Sequence, residues 1–249
     1  MRRFSLYIAV ISLFLFSCSK KDQAPDTPVR GSLSGTIQAW NDKTSSLTDA
    51  SGILVKISNL NNFSAVTDAA GRYTIDNVPY DIHDVEISKT GYGTLKVYGI
   101  THDGTGSNTG TIVPTISFGQ LSTTTVTGLS VAGNTINGTP GVSFNYVISP
   151  VPGTSNRAFV RYFLSTSPTV SSSEYMAYSI VYNFSNLSNI TGFTTNELLG
   201  MGFSSGQTVY ARMYGDSFRA NDYLDPNTGQ RVFPNINPSA AAAVSFIVP

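Results

Sequence analysis

From residue 33 onward, apolar residues recur at every second position in runs of only four to eight residues. Leu33, Gly35, Ile37 and Ala39 form one such run; Ile53, Val55 and Ile57, Tyr73 and Ile75, Val85 and Ile87, and Leu95 and Val97 form others. In an extended chain, successive side chains point to opposite faces, so this period builds strands with one apolar face and one solvated face. Each run is bounded by Gly, Asn, Asp or Pro, which punctuate the chain as turns. The pattern resumes over 125–131, 142–148, 159–164, 176–181, 209–214 and 241–248, and Phe159-Val160-Arg161-Tyr162-Phe163-Leu164 reads as a more buried strand. The expected fold class is all-β, with two tandem antiparallel β-sandwiches over residues 31–118 and 121–249, joined by the polar stretch 119–123. One short helix interrupts the pattern at 194–200, where Thr194 and Glu197 have capping-box spacing and Gly200 suits the stop.

The N-terminus has a different character. Arg2 and Arg3 precede an apolar stretch from residue 6 to 16, broken only by Ser12, and Leu15-Phe16-Ser17-Cys18 follows at once. Eleven residues are too few to span about 30 Å of hydrocarbon, so residues 1–17 read as a cleaved signal peptide. The run resembles the lipobox of bacterial lipoproteins. That resemblance implies cleavage before Cys18, acylation of its thiol and new amino group, and anchoring of the product to a membrane by lipid alone. It also accounts for the position of the only cysteine in the chain. Residues 18–30 are polar and contain two prolines, as befits a tether. The basic-then-acidic cluster Lys20-Lys21-Asp22 is similar to the signal that sends some lipoproteins of diderm bacteria to the cell surface, so the expected location is the outer membrane, facing outward.

In the first domain, Asp68 and Gly71 supply a turn flanked by Val66 and Tyr73, and Pro79 ends the following strand, which predicts a β-hairpin. The run from Ala65 to Pro79, with the Gly-rich strand before it and Val85-Glu86-Ile87-Ser88-Lys89-Thr90-Gly91-Tyr92 after it, resembles the carboxypeptidase regulatory-like family. The resemblance covers about 85 residues. It implies a seven-stranded prealbumin-like sandwich with no catalytic residues of its own, used as a spacer or binding unit. His83 and Glu86 match the His-x-x-Glu spacing of zinc carboxypeptidases, but in a strand they point to opposite faces. A metal site combining His83, His102 and Asp103 or Glu86 is conceivable; the preferred reading makes both histidines exposed strand and loop residues, with no metal and no cofactor.

In the second domain, Thr194 to Leu198 and then Gly202 to Tyr214 look like the strand-E to strand-F region of fibronectin type III-like domains. A similar helix-then-strand arrangement occurs in surface glycan-binding lipoproteins. About 25 residues separate Tyr214 from Ala240, a long excursion for a compact sandwich. Phe218, Tyr223 and Phe233, with Asp222 beside them, make a candidate aromatic platform, because apolar sugar faces stack on rings while polar groups address the hydroxyls. Asp216, Asp222 and Asp225 are an alternative calcium set without the spacing of an EF-hand loop. The third alternative is an ordered hairpin extension with a turn at residues 225–229. Trp40, at the end of the first strand, is expected to pack.

With 15 Lys and Arg against 15 Asp and Glu, the chain lacks the basic excess that phosphate neutralisation demands, and a nucleic-acid partner is excluded. There is no Gly-x-Ser-x-Gly elbow, Walker loop or dinucleotide fingerprint. The glutamates at 86, 174 and 197 are isolated, so the expected function is non-catalytic. The chain reads as a membrane-anchored binding or accessory module for a glycan, or as a structural spacer that positions a surface-protein partner.

Overall fold

The computed structural model describes residues 29–104, 110–186 and 191–249; Cys18, the signal segment and the tether up to residue 28 lie outside the described residues. The described residues are all-β apart from one short helix. Its first half contains β1 (Arg30–Trp40), β2 (Leu54–Ile57), β3 (Ser64–Val66), β4 (Arg72–Pro79), β5 (Asp81–Ser88), β6 (Leu95–His102), β7 (Gly110–Ile112) and β8 (Ile116–Gly119). One sheet has the order β4-β1-β7, with β8 continuing the β7 side of β1, and the facing sheet has the order β3-β2-β5-β6. The period-two residues point inward as expected: Leu33, Ile37 and Ala39 of β1 meet Val55, Ile57, Val85 and Ile87 in a single buried cluster.

The Val66–Tyr73 turn forms, but not as a hairpin within one sheet. Gly71 N–H donates to Asp68 C=O at 2.9 Å, and the Asp68 carboxylate accepts from Arg72 N–H at 2.8 Å. β3 then pairs with β2 while β4 pairs with β1, so the turn carries the chain from one sheet to the other. The cause is the docking of Gly71 on β1. Ile37 N–H donates to Gly71 C=O at 2.8 Å, and a Cβ on Gly71, whose φ is +75°, would lie 2.0 Å from the Ile37 carbonyl oxygen.

The second half contains β9 (Thr125–Ile136), β10 (Thr139–Ser149), β11 (Ala158–Ser165), β12 (Ala177–Tyr178), β13 (Tyr182–Phe184), β14 (Thr191–Thr194), α1 (Thr195–Gly200), β15 (Thr208–Asp216), β16 (Tyr223–Leu224), β17 (Arg231–Val232) and β18 (Val244–Ile247). The order β14-β10-β9 forms one sheet and β12-β11-β15-β18 the other, with β13 also on β11. Phe144, Tyr162, Phe193, Leu198 and Met213 fill the space between them. The strand expected over 176–181 is instead two short pieces. Thr194 caps α1 through the full capping box. The stop belongs to Gly202, at φ +94°, rather than to Gly200.

β11 is buried at all eight positions. Ala158, Val160, Tyr162 and Leu164 face the sandwich core, while Phe163 faces a second apolar cluster with Val170, Tyr214, Phe233 and Ile236. That outer cluster is the excursion after β15 folded back over the sheet.

The same excursion fastens the two sandwiches together. Asn221 Oδ1 accepts from Gly119 N–H at 2.8 Å while its Nδ2 donates to Ser117 C=O at 2.8 Å. Asn235 Oδ1 accepts from Gly93 N–H at 3.1 Å, and Phe218 N–H donates to Asp42 C=O at 3.0 Å. A Cβ on Gly93 would lie 2.1 Å from the Pro234 carbonyl oxygen. The Arg219 guanidinium lies 4.3 Å from the Trp40 ring centroid and 4.8 Å from that of Phe218, so Trp40 packs at this waist.

Candidate functional site

The structure sends the four loop residues to separate environments. Phe218 is half-buried between Trp40, at 5.5 Å, and Phe159, at 5.6 Å. Tyr223 crosses to the first sandwich, packing against its core with Tyr98 at 6.0 Å. Phe233 is 8% exposed and lies edge-on to Phe163 at 4.9 Å, under the Arg161 guanidinium at 4.7 Å. Asp222 pairs with Arg231 at 2.8 Å and with Arg161 at 3.5 Å. The rings are therefore not gathered into one platform; they join the excursion to the body of the protein.

Arg161 is the residue that sequence reasoning passed over. It is 4% exposed, and its Nε donates to Asp216, itself 1% exposed, at 2.8 Å. Burial pushes the Asp216 carboxyl up from its ordinary value, against the pull of the guanidinium. A lone arginine inside the apolar run 159–164 was the available signal. Of the calcium alternative, Asp216 and Asp222 are engaged by arginine and Asp225 accepts from Asn227 N–H within a turn. Among the described residues, no three His, Cys, Asp or Glu side chains converge as a metal site.

The histidines correct their expectation: His83 is 4% exposed and His102 is fully buried. His83, Val85 and Ile87 are buried at alternate positions of β5, so ordinary strand alternation puts His83 on the core side. His83 Nε2 lies 2.8 Å from Pro79 C=O, His102 Nδ1 lies 2.7 Å from Thr111 Oγ1, and the two rings are 6.1 Å apart. Burial is the first cause holding the His102 pKa below its ordinary value.

The feature best suited to a ligand lies elsewhere, in residues that carry no motif. The Asn137-Gly138 turn, with φ of +50° and +82°, closes the long β9–β10 hairpin in the left-handed conformations such a turn requires. With β13, β14 and the start of α1, the hairpin tip borders an open groove of about 700 Å³, within the range of small-ligand sites. Asn134, Asn137 and Asn183 offer amides, Ser143 a hydroxyl, and Tyr182 an aromatic ring. Ile136, Ile180 and Phe184 supply apolar surface. Thr191 is held from below by the hydroxyls of Tyr162, at 2.6 Å, and Tyr146, at 3.1 Å. Glu197 stands at the rim, its carboxylate accepting from Thr194 N–H at 2.7 Å and Oγ1 at 2.8 Å.

Strand direction locates this groove in the molecule. β1 runs from Arg30 to the waist at Trp40, and β9 leaves the waist at Thr125 and ends at the hairpin tip. At about 3.3 Å per residue each strand spans roughly 35–40 Å. The groove thus lies at the end of the second sandwich remote from the waist.

No protein-family model and no curated protein matches the chain. Among solved structures, the chain is similar to part of a type II cohesin–X–dockerin complex from Acetivibrio cellulolyticus, with 24% identity, a TM-score of 0.30, and coverage of 37% of this chain and 59% of that one. A DUF3823 family protein from Bacteroides ovatus shows 13% identity over 88% of this chain and 100% of that one, with a TM-score of 0.28. A candidate carbohydrate-binding protein from Bacteroides uniformis shows 14% identity over 87% and 98%, with a TM-score of 0.28.

Proposed function

We propose that this protein is a non-catalytic lipoprotein, held in the outer membrane through acylated Cys18 and facing the cell exterior, that binds glycans in the groove at the tip of the β9–β10 hairpin. The single observation that supports glycan recognition is the groove's lining: amides and hydroxyls that exchange hydrogen bonds with sugar hydroxyls, beside an aromatic ring and aliphatic carbon that cover an apolar sugar face. In this reading the first sandwich is a carboxypeptidase regulatory-like spacer and the second a fibronectin type III-like recognition domain. The first strand starts at Arg30, away from the waist, and the groove lies at the far end of the second sandwich.

The test is a glycan-array screen of the full mature chain in detergent, beside Tyr182→Ala and Asn183→Ala variants. Binding that both variants weaken at least tenfold supports the reading. Silence on every glycan, or binding that neither variant alters, overturns it. Mass spectrometry of the mature N-terminal peptide tests the anchor separately, since an unmodified Cys18 thiol contradicts it.

A second reading, a spacer that positions a surface-protein partner, draws support from the waist. There, backbone and side-chain hydrogen bonds from Asn221, Asn235 and Phe218 join the sandwiches. Recovery of a partner by the mature chain, with no glycan bound, favours that reading.

A further inference from the structure

We infer that Glu197 sets the charge class of the ligand, so that the groove accepts neutral oligosaccharides and rejects those carrying a carboxylate. The inference rests on the glycan-binding reading of this groove. Among the described residues, Glu197 is the only charged residue lining it, and no lysine or arginine lines it. Among the described residues, Glu197 has no ion-pair partner to neutralise it. Its carboxylate cannot swing aside freely, because it accepts from both the backbone and the side chain of Thr194 in the capping box that starts α1. The charge also reaches the opposite wall: the Tyr182 phenol is pushed up first by burial and next by Glu197.

A fixed, unpaired negative charge repels an incoming carboxylate while leaving an uncharged hydroxyl free to donate to it. At a partly solvated site a like-charge contact of this kind lowers affinity by about five- to tenfold at low salt, and added salt reduces the difference. Glu197 thereby has two roles, since the residue that completes the capping box of α1 also sets the charge of the groove rim.

The experiment uses the full mature chain and six probes: cello-, manno- and galactotetraose, each beside the same tetraose with one C6 oxidised to a carboxylate. Calorimetric titrations are run at 20 mM and 300 mM salt on the wild type and on Glu197→Gln, which keeps a capping-box acceptor and removes the charge. For whichever sugar binds, the expected result is at least fivefold weaker binding of the oxidised form to the wild type at low salt. Glu197→Gln closes that gap, read as the ratio of neutral to oxidised affinity within each protein. Equal wild-type affinity for both forms overturns the inference, as does selectivity that survives Glu197→Gln. If no tetraose, neutral or oxidised, binds at all, the failure is that of the glycan-binding reading itself. An unchanged thermal melt of Glu197→Gln guards against misfolding.

Discussion

Replacing Arg161 with Met tests the account of the second sandwich most severely. The guanidinium is enclosed between β11 and the folded-back excursion, with Asp216 at 2.8 Å, the Ser179 carbonyl oxygen at 3.1 Å and the Phe233 ring centroid at 4.7 Å. Met fills much of the volume but leaves the carboxylate of Asp216 buried without its cation. Breaking one side of a buried pair costs about 3–5 kcal/mol, and the lost cation–π contact falls within that range. The loss also depends on pH. In the variant, burial of Asp216 is opposed only by the Ser217 N–H and no longer by the guanidinium, so its folded pKa rises further above the unfolded value near 3.9. A carboxyl raised on folding favours the folded state below its unfolded pKa and loses that contribution as pH rises through the folded pKa. Urea unfolding followed by far-UV circular dichroism is therefore predicted to show a larger loss at pH 7 than at pH 4. Adding Asp216→Asn to the Met variant removes the extra loss at pH 7. A loss below about 1 kcal/mol, or one equal at the two pH values, refutes the argument that an uncompensated buried charge is the cause.

Gly93→Ala places a Cβ against the Pro234 carbonyl oxygen, and the waist is predicted to separate while both sandwiches stay folded. The single tryptophan reports this, because Trp40 lies under Arg219: its emission shifts to the red with no change in far-UV circular dichroism. In the first sandwich, burial lowers the His102 pKa, so stability is full above the unfolded value near 6.5 and falls as pH drops below it. Melting temperatures between pH 7.5 and 5 are predicted to decline in the wild type and to flatten in His102→Gln. Gly71→Ala, strained at φ +75° and blocked by the Ile37 carbonyl, is predicted to cost about 1–3 kcal/mol by urea unfolding.

What the chain revealed before folding was what depends on neighbours in sequence. The alternation in β1 and β10, the continuous burial of β11 and the Thr194–Glu197 cap were readable because period and capping are local rules. The Asp68–Gly71 turn was readable as a turn but not as a sheet crossing. Its hydrogen bonds are the same whichever strand captures Tyr73, and that choice is made by Ile37, more than thirty residues away. Phe218, Tyr223 and Phe233 looked like a platform because loops with exposed rings often bind ligands. Nothing local said that the excursion would lie back across β11 and reach the first sandwich. The groove was invisible for a related reason. Its lining comes from residues 134–137, 180–184 and 191–197, and none of those segments carries a motif alone.

The proposed function puts the ligand at the hairpin tip. Hydrogen exchange on the mature chain, with and without the glycan that scores highest on the array, tests it most directly. The prediction is slowed exchange at residues 134–137, 182–184 and 192–197, with the excursion from 217 to 240 unchanged. Protection confined to that excursion, with the hairpin tip exchanging as freely as before, contradicts the claim.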